Sequence, residues 1–238
     1  MPDARHANLL EPEALVELFL RHPPQGFAAA SEADLPVFGT DFDLLTTLEP
    51  AILVKIRRFP LFGLWSRLLR FPARFAGTTA TEYAPLPKGL EPGALLDGFR
   101  ERCAAGQSLL IVKDVPEVSP LLGAGDNEAA MRLARIAPDK GFIVVEGQAL
   151  AYVPIDFSST DEYLSRLSKS RRKNLRRKLK SRERLDIEAV PLGDARFGSL
   201  DVLEELYGLY LGVYAQSEIH FDLLTRDFFA GLLQSREI

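Results

Sequence analysis

Apolar positions along this chain recur with two periods, and the switching between them predicts a mixed α/β architecture. Helical spacing marks residues 12–21 (PEALVELFL), after which a Pro/Gly/Ala-rich link is expected to about residue 42. Leu44–Leu48 and Ile52–Ile56 are apolar and rich in β-branched residues, which predicts two strands parted by Glu49-Pro50. Between Pro60 and Pro72, Phe62, Trp65 and Leu69 share one helical face and Arg67, Arg70 and Arg74 another, the pattern of a core-facing helix with an exposed Arg face. A membrane-surface segment is the weaker reading of the same pattern. A strand at 75–83, a helix at 93–105, a buried strand at 108–113 and a helix at 127–137 follow. The most apolar zone, FIVVEGQALAYVPI, predicts two strand-like pieces hinged at Gly147-Gln148.

Ser159 with Glu162 three positions on is a capping-box signature, so one helix is expected over 160–184, docked by Leu164, Leu167, Leu175 and Leu179. Leu185, Ile187 and Ala189 alternate with Asp186 and Glu188 as a following strand, and helices at 199–215 and 225–235 close the sequence.

Charge is distributed very unevenly along the chain. Eleven of the 29 Lys and Arg residues fall between Arg166 and Arg184, with Glu183 the only acid among them. The other 18 cations face 32 carboxylates, so a body of about −14 carries a segment of about +10 beneath a net charge of −4. Pairs such as Lys169/Lys173, Arg172/Arg176 and Arg176/Lys180 repel at i,i+4 and cost helix stability by roughly 0.2–0.5 kcal/mol each. Such a run is either a solvated face neutralised by the acidic body or a binding face for phosphate or carboxylate, for which Arg is the bidentate partner. The run lacks aromatic residues and the rest of the chain is acidic, which argues against general nucleic-acid binding.

Other chemistry is sparse. The single Cys103 excludes an internal disulfide and a Cys-based metal site, and implies a reducing compartment. His6, His22 and His220 show no metal-ligand spacing, and His220, in the loop Gln216–His220, is a candidate general base or acceptor contact. Lys113-Asp114 closes an apolar strand and could line a site there. Gly-rich phosphate loops, a G-x-S-x-G elbow and H-E-x-x-H are absent. The first twenty residues have no signal-peptide pattern and no window of eighteen apolar residues exists, so no membrane span and a cytoplasmic location are expected.

The stretch 141–192 resembles the tandem GNAT-like acyltransferases related to the FemAB aminoacyl transferases. The resemblance lies in an acidic-aromatic strand exit, Ile155-Asp156-Phe157, leading into a helix with Leu167, Ser168, Arg172, Asn174, Arg176 and Arg177 at the family's Leu-Ser-x-x-x-Arg-x-Asn-x-Arg-Arg positions. Tyr207–Phe229 is similar to the helix, loop and helix that precede the family's second half, and the likeness covers roughly residues 40–238. It implies an N-terminal helix and linker over 1–42, a GNAT-like mixed sheet flanked by helices over 43–195, and helices at 196–238 leading into a second GNAT-like domain expected beyond Ile238. The implied activity is N-acyl transfer, an acyl or aminoacyl group passing from acyl-CoA or aminoacyl-tRNA to an amine. Acyl-CoA is then a co-substrate, with no tightly bound cofactor, no metal and no DNA partner, and with RNA only as a tRNA donor. Arg172, Lys173, Asn174, Arg176 and Arg177 are expected to contact the anionic substrate or donor, and Asp156, Tyr214 and His220 to make polar contacts in the cleft. The alternative is a non-catalytic module that binds RNA or an anionic membrane surface through helix 166–184, and a structural half-domain without a ligand is a third reading.

Overall fold

A computed structural model describes residues 5–47, 50–147, 149–217 and 220–238. The chain divides into two compact units, 1–147 with 192–238, and 148–191.

The first unit is built on a sheet. In chain order it holds β1 (His6–Ala7), α1 (Glu13–Arg21), β2 (Ala28–Glu32), β3 (Leu35–Asp43), α2 (Pro50–Ile56), α3 (Phe62–Trp65), β4 (Arg70–Ala76), β5 (Leu86–Pro87), α4 (Pro92–Cys103), β6 (Leu109–Val112) and α5 (Ala124–Ile136). The second unit contributes α6 (Thr160–Arg166) and α7 (Lys169–Arg182), and the chain returns to the first unit with α8 (Leu200–Gln216) and α9 (Arg226–Gln234). The main sheet has the order β2-β3-β4-β6, antiparallel except for the parallel pair β4 and β6, while β1 and β5 form a small second ladder.

Alternation along the strands divides the core into two layers. Leu35, Val37, Ala76, Leu110 and Val112 pack on one side with Leu95, Leu96 and Phe99 of α4 and Leu133 of α5. Phe38, Ala73, Phe75, Leu109 and Ile111 pack on the other with Leu18 and Phe19 of α1 and Phe228 of α9. Phe38 is fully buried, stacked between Phe27 at 5.1 Å and Phe75 at 4.7 Å, with Phe19 edge-on at 5.7 Å. At Gly231 the helices α1 and α9 approach so closely that a Cβ would lie 2.5 Å from Leu18 Cδ1. His6 ties the N-terminus to this layer: Glu13 accepts from its backbone N–H at 2.9 Å and lies 2.6 Å from Nδ1, while Nε2 is 2.9 Å from the Asp34 carbonyl.

Mixed α/β architecture with helices on both faces of a mixed sheet matches the expectation, but several elements differ. The expected link to residue 42 is instead the hairpin β2–β3, turned at Ala33 and Asp34, both left-handed (φ 51° and 64°). A two-residue turn of this hand is ordinarily announced by Asn-Gly or Asp-Gly, and Ala-Asp carries no such signal. The two expected strands at 44–48 and 52–56 are a short 3-10 turn (Leu44–Thr47) and the helix α2, because Pro50 supplies a first helical residue and not a strand breaker; Leu48 and Glu49 lie outside the described residues. The strand expected at 75–83 runs from Arg70 to Ala76, which displaces the end of the predicted Pro60–Pro72 helix. What remains of that helix is the single turn α3 and a 3-10 turn at Ser66–Leu69.

Residues 142–147, 149–157 and 185–190 form no strand, although the apolar character of the first two and the alternation of the third predict three. Period-2 alternation specifies which face a residue takes, while a ladder also needs a neighbouring strand to accept its N–H and C=O groups. None pairs with these segments among the described residues, and Ile143, Val145 and Ile155 are 89%, 77% and 84% exposed.

Phe38→Ala is expected to lose about 3–5 kcal/mol, the cost of an unfilled aromatic site in a packed core, read as a lowered midpoint in urea denaturation of the whole chain.

Candidate anion-binding face

The basic run is two helices. α6 begins at Ser159, whose hydroxyl accepts the Glu162 N–H at 3.2 Å. Glu162 bonds back one residue further than a capping box requires, accepting from the Ser158 N–H at 2.8 Å and the Ser158 hydroxyl at 2.7 Å. Those bonds, the backbone one first, with help from Arg166, hold the Glu162 carboxyl far below its ordinary 4.5, at about 2.

The expected continuous helix over 160–184 breaks at Leu167, which is extended (φ −84°, ψ 155°). Ser168 restarts the chain as the N-cap of α7, its hydroxyl accepting the Arg171 N–H at 3.4 Å. A serine in the middle of a helical pattern is a capping candidate in its own right, and here that local bond wins over continuation of the ladder. Arg172 then reaches back over the break. Its Nε donates to the Leu164 carbonyl, and its Nη2 to those of Ser165 and Leu167, all at 2.9 Å. The Leu164 carbonyl also accepts the Leu167 N–H at 3.2 Å, so Arg172 supplies it a second donor and caps the last carbonyls of the α6 end.

The leucine stripe is correspondingly divided. Leu164 is buried, Leu167 and Leu175 are half-buried, Leu179 is exposed, and α7 has no buried residue. The stripe therefore does not dock a single long helix.

Arg172 serves the turn, so most of its donors are occupied within the second unit. Asn174 Oδ1 accepts from Arg177 Nη2 at 3.1 Å. Asp156 is held by Arg166, accepting from Nη1 at 2.6 Å on its carboxylate and from Nη2 at 3.0 Å on its carbonyl. Arg166 also donates to Glu162 at 2.6 Å and stands 5.9 Å from the centre of the Phe157 ring. Lys173 and Arg176 are exposed, with no ion pair among the described residues.

At about 100° per residue, Lys169, Lys173, Arg176, Arg177 and Lys180 fall within one arc of about 100° on α7. Arg171, Lys178 and Arg182 form a second row roughly opposite. Among the described residues no carboxylate is within ion-pair distance of either row.

Tyr214 and His220 belong to the first unit. The His220 ring lies edge-on to Tyr214 at 4.9 Å, with Nε2 2.9 Å from the Tyr214 carbonyl, at the end of α8. Glu218 and Ile219, within the predicted loop, lie outside the described residues. Tyr214 continues a row with Tyr207 and Tyr210, two rings that pack on Phe229 and clamp the chain before α9. The Tyr207 hydroxyl donates to the Leu224 carbonyl and the Tyr210 hydroxyl accepts the Leu224 N–H, both at 2.9 Å. Burial pushes the Tyr210 and Tyr214 hydroxyls above their ordinary values, Asp222 adding to the effect in each. Lys113 and Asp114 pair with each other, and Lys113 Nζ donates to the Thr78 carbonyl at 2.8 Å, which fixes the end of β6 to the preceding loop. Among the described residues no group of His, Cys, Asp and Glu could hold a metal ion.

Two outcomes test this geometry. Arg172→Ala is expected to weaken the α6–α7 turn by roughly 1.5–3 kcal/mol, the range for hydrogen bonds to a charged group, seen as faster amide exchange at Arg171 and Arg172 while β3 and β4 keep their protection. A carboxyl whose folded value is depressed stabilises above its unfolded value, so the Glu162 contribution is complete above pH 4.5 and is lost as pH falls toward about 2, a titration that carboxyl NMR of Glu162 would follow. Comparison of the chain with protein-family models, with curated proteins and with solved structures finds no match, and the functional reading rests on the residues themselves.

Proposed function

We propose that α7 presents an anion-binding face and that the chain serves N-acyl transfer, the face holding the phosphates of an acyl-CoA donor or an anionic acceptor. The observation that carries the anion-binding part is the row Lys169, Lys173, Arg176, Arg177 and Lys180, cationic and without a carboxylate partner among the described residues, on a helix fixed by Ser168 and Arg172. A helix with repelling i,i+4 cations is stabilised when an anion lies across them.

The acyl-transfer part is supported by the family-like positions Leu167, Ser168, Arg172, Asn174, Arg176 and Arg177. It is also supported by the antiparallel meander β2–β3–β4 followed by α4 and the parallel strand β6, an arrangement in keeping with a GNAT-like sheet. In that chemistry a neutral amine attacks the thioester carbonyl, the C–N bond forms, the C–S bond breaks, and the amine proton leaves as the thiol departs. Such a reaction asks a protein chiefly to position donor and acceptor and to accept a proton. Within the motif, Arg172 keeps the helix in place and Arg176 and Arg177 supply charge.

A second reading has an observation of its own. The row Arg171, Lys178 and Arg182 makes α7 cationic on both sides, which suits an extended polyanion such as RNA better than one small anion. The acidic remainder of the chain, about −14, opposes that reading.

Calorimetric titration of the chain with coenzyme A, its 3′-dephospho form and pantetheine separates the two. Binding is expected to need the phosphates, and Arg176→Ala is expected to cost roughly 1.5–3 kcal/mol of it. Sub-micromolar binding of generic RNA with a steep salt dependence, and none of coenzyme A, would overturn the acyl-transfer reading.

A further inference from the structure

Residues 50–69 are the other place where this chain gathers cations without carboxylates, and there the fold also leaves large apolar side chains outside. From Pro50 to Thr81 the sequence has no Asp or Glu, while Lys55, Arg57, Arg58, Arg67, Arg70 and Arg74 fall within it. Arg70 is bonded to Asp43 at 3.3 Å, but Lys55, Arg57, Arg58 and Arg67 are exposed and have no ion pair among the described residues. Interleaved with them, Val54, Phe59, Leu61 and Leu68 are 53%, 62%, 75% and 75% exposed. The core-facing helix expected here is thus replaced by short turns whose intervening residues point outward.

Behind these side chains lies an almost wholly apolar groove of about 320 Å³, lined by Leu44, Leu45, Ile56, Phe59, Trp65 and Leu69. The Trp65 indole N–H is satisfied by the Pro60 carbonyl at 3.2 Å, and its ring stands edge-on to Phe62 at 5.2 Å.

Charge complementarity narrows what can cover this surface. A partner must offer apolar depth to Phe59, Leu61 and Leu68 and anionic groups to the surrounding guanidinium and ammonium groups. A small anion would leave the apolar groups in water, and RNA offers no acyl depth. An anionic bilayer supplies both, and clusters of Lys and Arg around aromatic and aliphatic side chains are what an interfacial segment requires. α2 and α3 are seven and four residues long, and no helix among the described residues is long and apolar enough to cross a membrane, so the contact is with the surface.

We propose that residues 50–69 dock this chain on an anionic lipid bilayer, with Phe59, Leu61 and Leu68 entering the headgroup–acyl boundary and Arg57, Arg58 and Arg67 meeting lipid phosphates. This does not depend on α7 or on acyl transfer.

The test is co-sedimentation of the full chain with phosphatidylcholine vesicles, with and without phosphatidylglycerol, read together with the emission of Trp65, the chain's one tryptophan. Binding and a blue shift are expected with the anionic vesicles only. Replacing Arg57, Arg58 and Arg67 by Gln should weaken partitioning by about fivefold for each cation removed. Changing Phe59, Leu61 and Leu68 to Ser should abolish the blue shift while the circular dichroism and melting of the chain are retained, since these positions are exposed. The proposal is overturned by the absence of vesicle binding, by equal binding to pure phosphatidylcholine, or by RNA displacing the anionic vesicles from this segment. It is equally overturned if both variants bind as well as the original and only Gln at Lys173, Arg176, Arg177 and Lys180 removes binding, because α7 would then be the lipid contact.

Discussion

The three hydrogen bonds from Arg172 to the carbonyls of Leu164, Ser165 and Leu167 are the interaction on which the second unit depends. They close the end of α6, hold the extended residue Leu167 and set the start of α7 against Ser168. A lysine could bring the charge but not the planar fork that reaches three oxygens from one side chain. Everything that faces outward from α7 inherits its position from this contact. The basic run therefore contains two kinds of residue: cations consumed in building the turn, Arg166 and Arg172, and cations left free to meet an external anion.

The first unit is organised by a different constraint, the burial of a sheet on both faces. β3 and β4 send alternate residues to two layers, and the stack of Phe27, Phe38 and Phe75 fills one of them under α1 and α9. That layer does not take in Ile52, Val54, Phe59, Leu61 and Leu68, which the fold puts on the outside together with neighbouring cations. The same economy explains the Tyr207–Tyr210 clamp, in which each hydroxyl meets a backbone group of Leu224 and the rings pack on Phe229. Tyrosines with such partners stabilise the connection between α8 and α9, and Tyr214 with His220 closes the end of that row.

Elements whose signals were local were legible in the sequence. The helices at 13–21, 92–103, 124–136, 200–216 and 226–234 follow from helical spacing within single segments, and β6 from an apolar run between turn residues. Elements that rest on long-range pairing were not. β2 is a run of Ala, Ser and Glu with little strand propensity, made a strand by its ladder to β3, whereas the apolar segments 142–147 and 149–157 and the alternating segment 185–190 have propensity but no ladder among the described residues. The break at Leu167 was hidden for a third reason: Ser168 lies inside a helical pattern, and the guanidinium that makes the break favourable comes from four residues further along and acts on the preceding helix. Of the candidate residues, charge patterning could single out the run as a whole, and only the geometry divides Arg172 and Asp156, which have internal partners, from Lys173 and Arg176, which face solvent.

If α7 binds an anion as proposed, its cations act as one face and not as a uniform charge cloud. A scan that replaces each α7 cation in turn by Gln, reading the change in coenzyme A affinity and the helicity of each variant, tests it most directly. Losses are expected at Lys173, Arg176, Arg177 and Lys180 with helicity kept, little change at Arg171, Lys178 and Arg182, and a loss of helicity at Arg172. Equal losses at every position, with no periodicity along the helix, would contradict it.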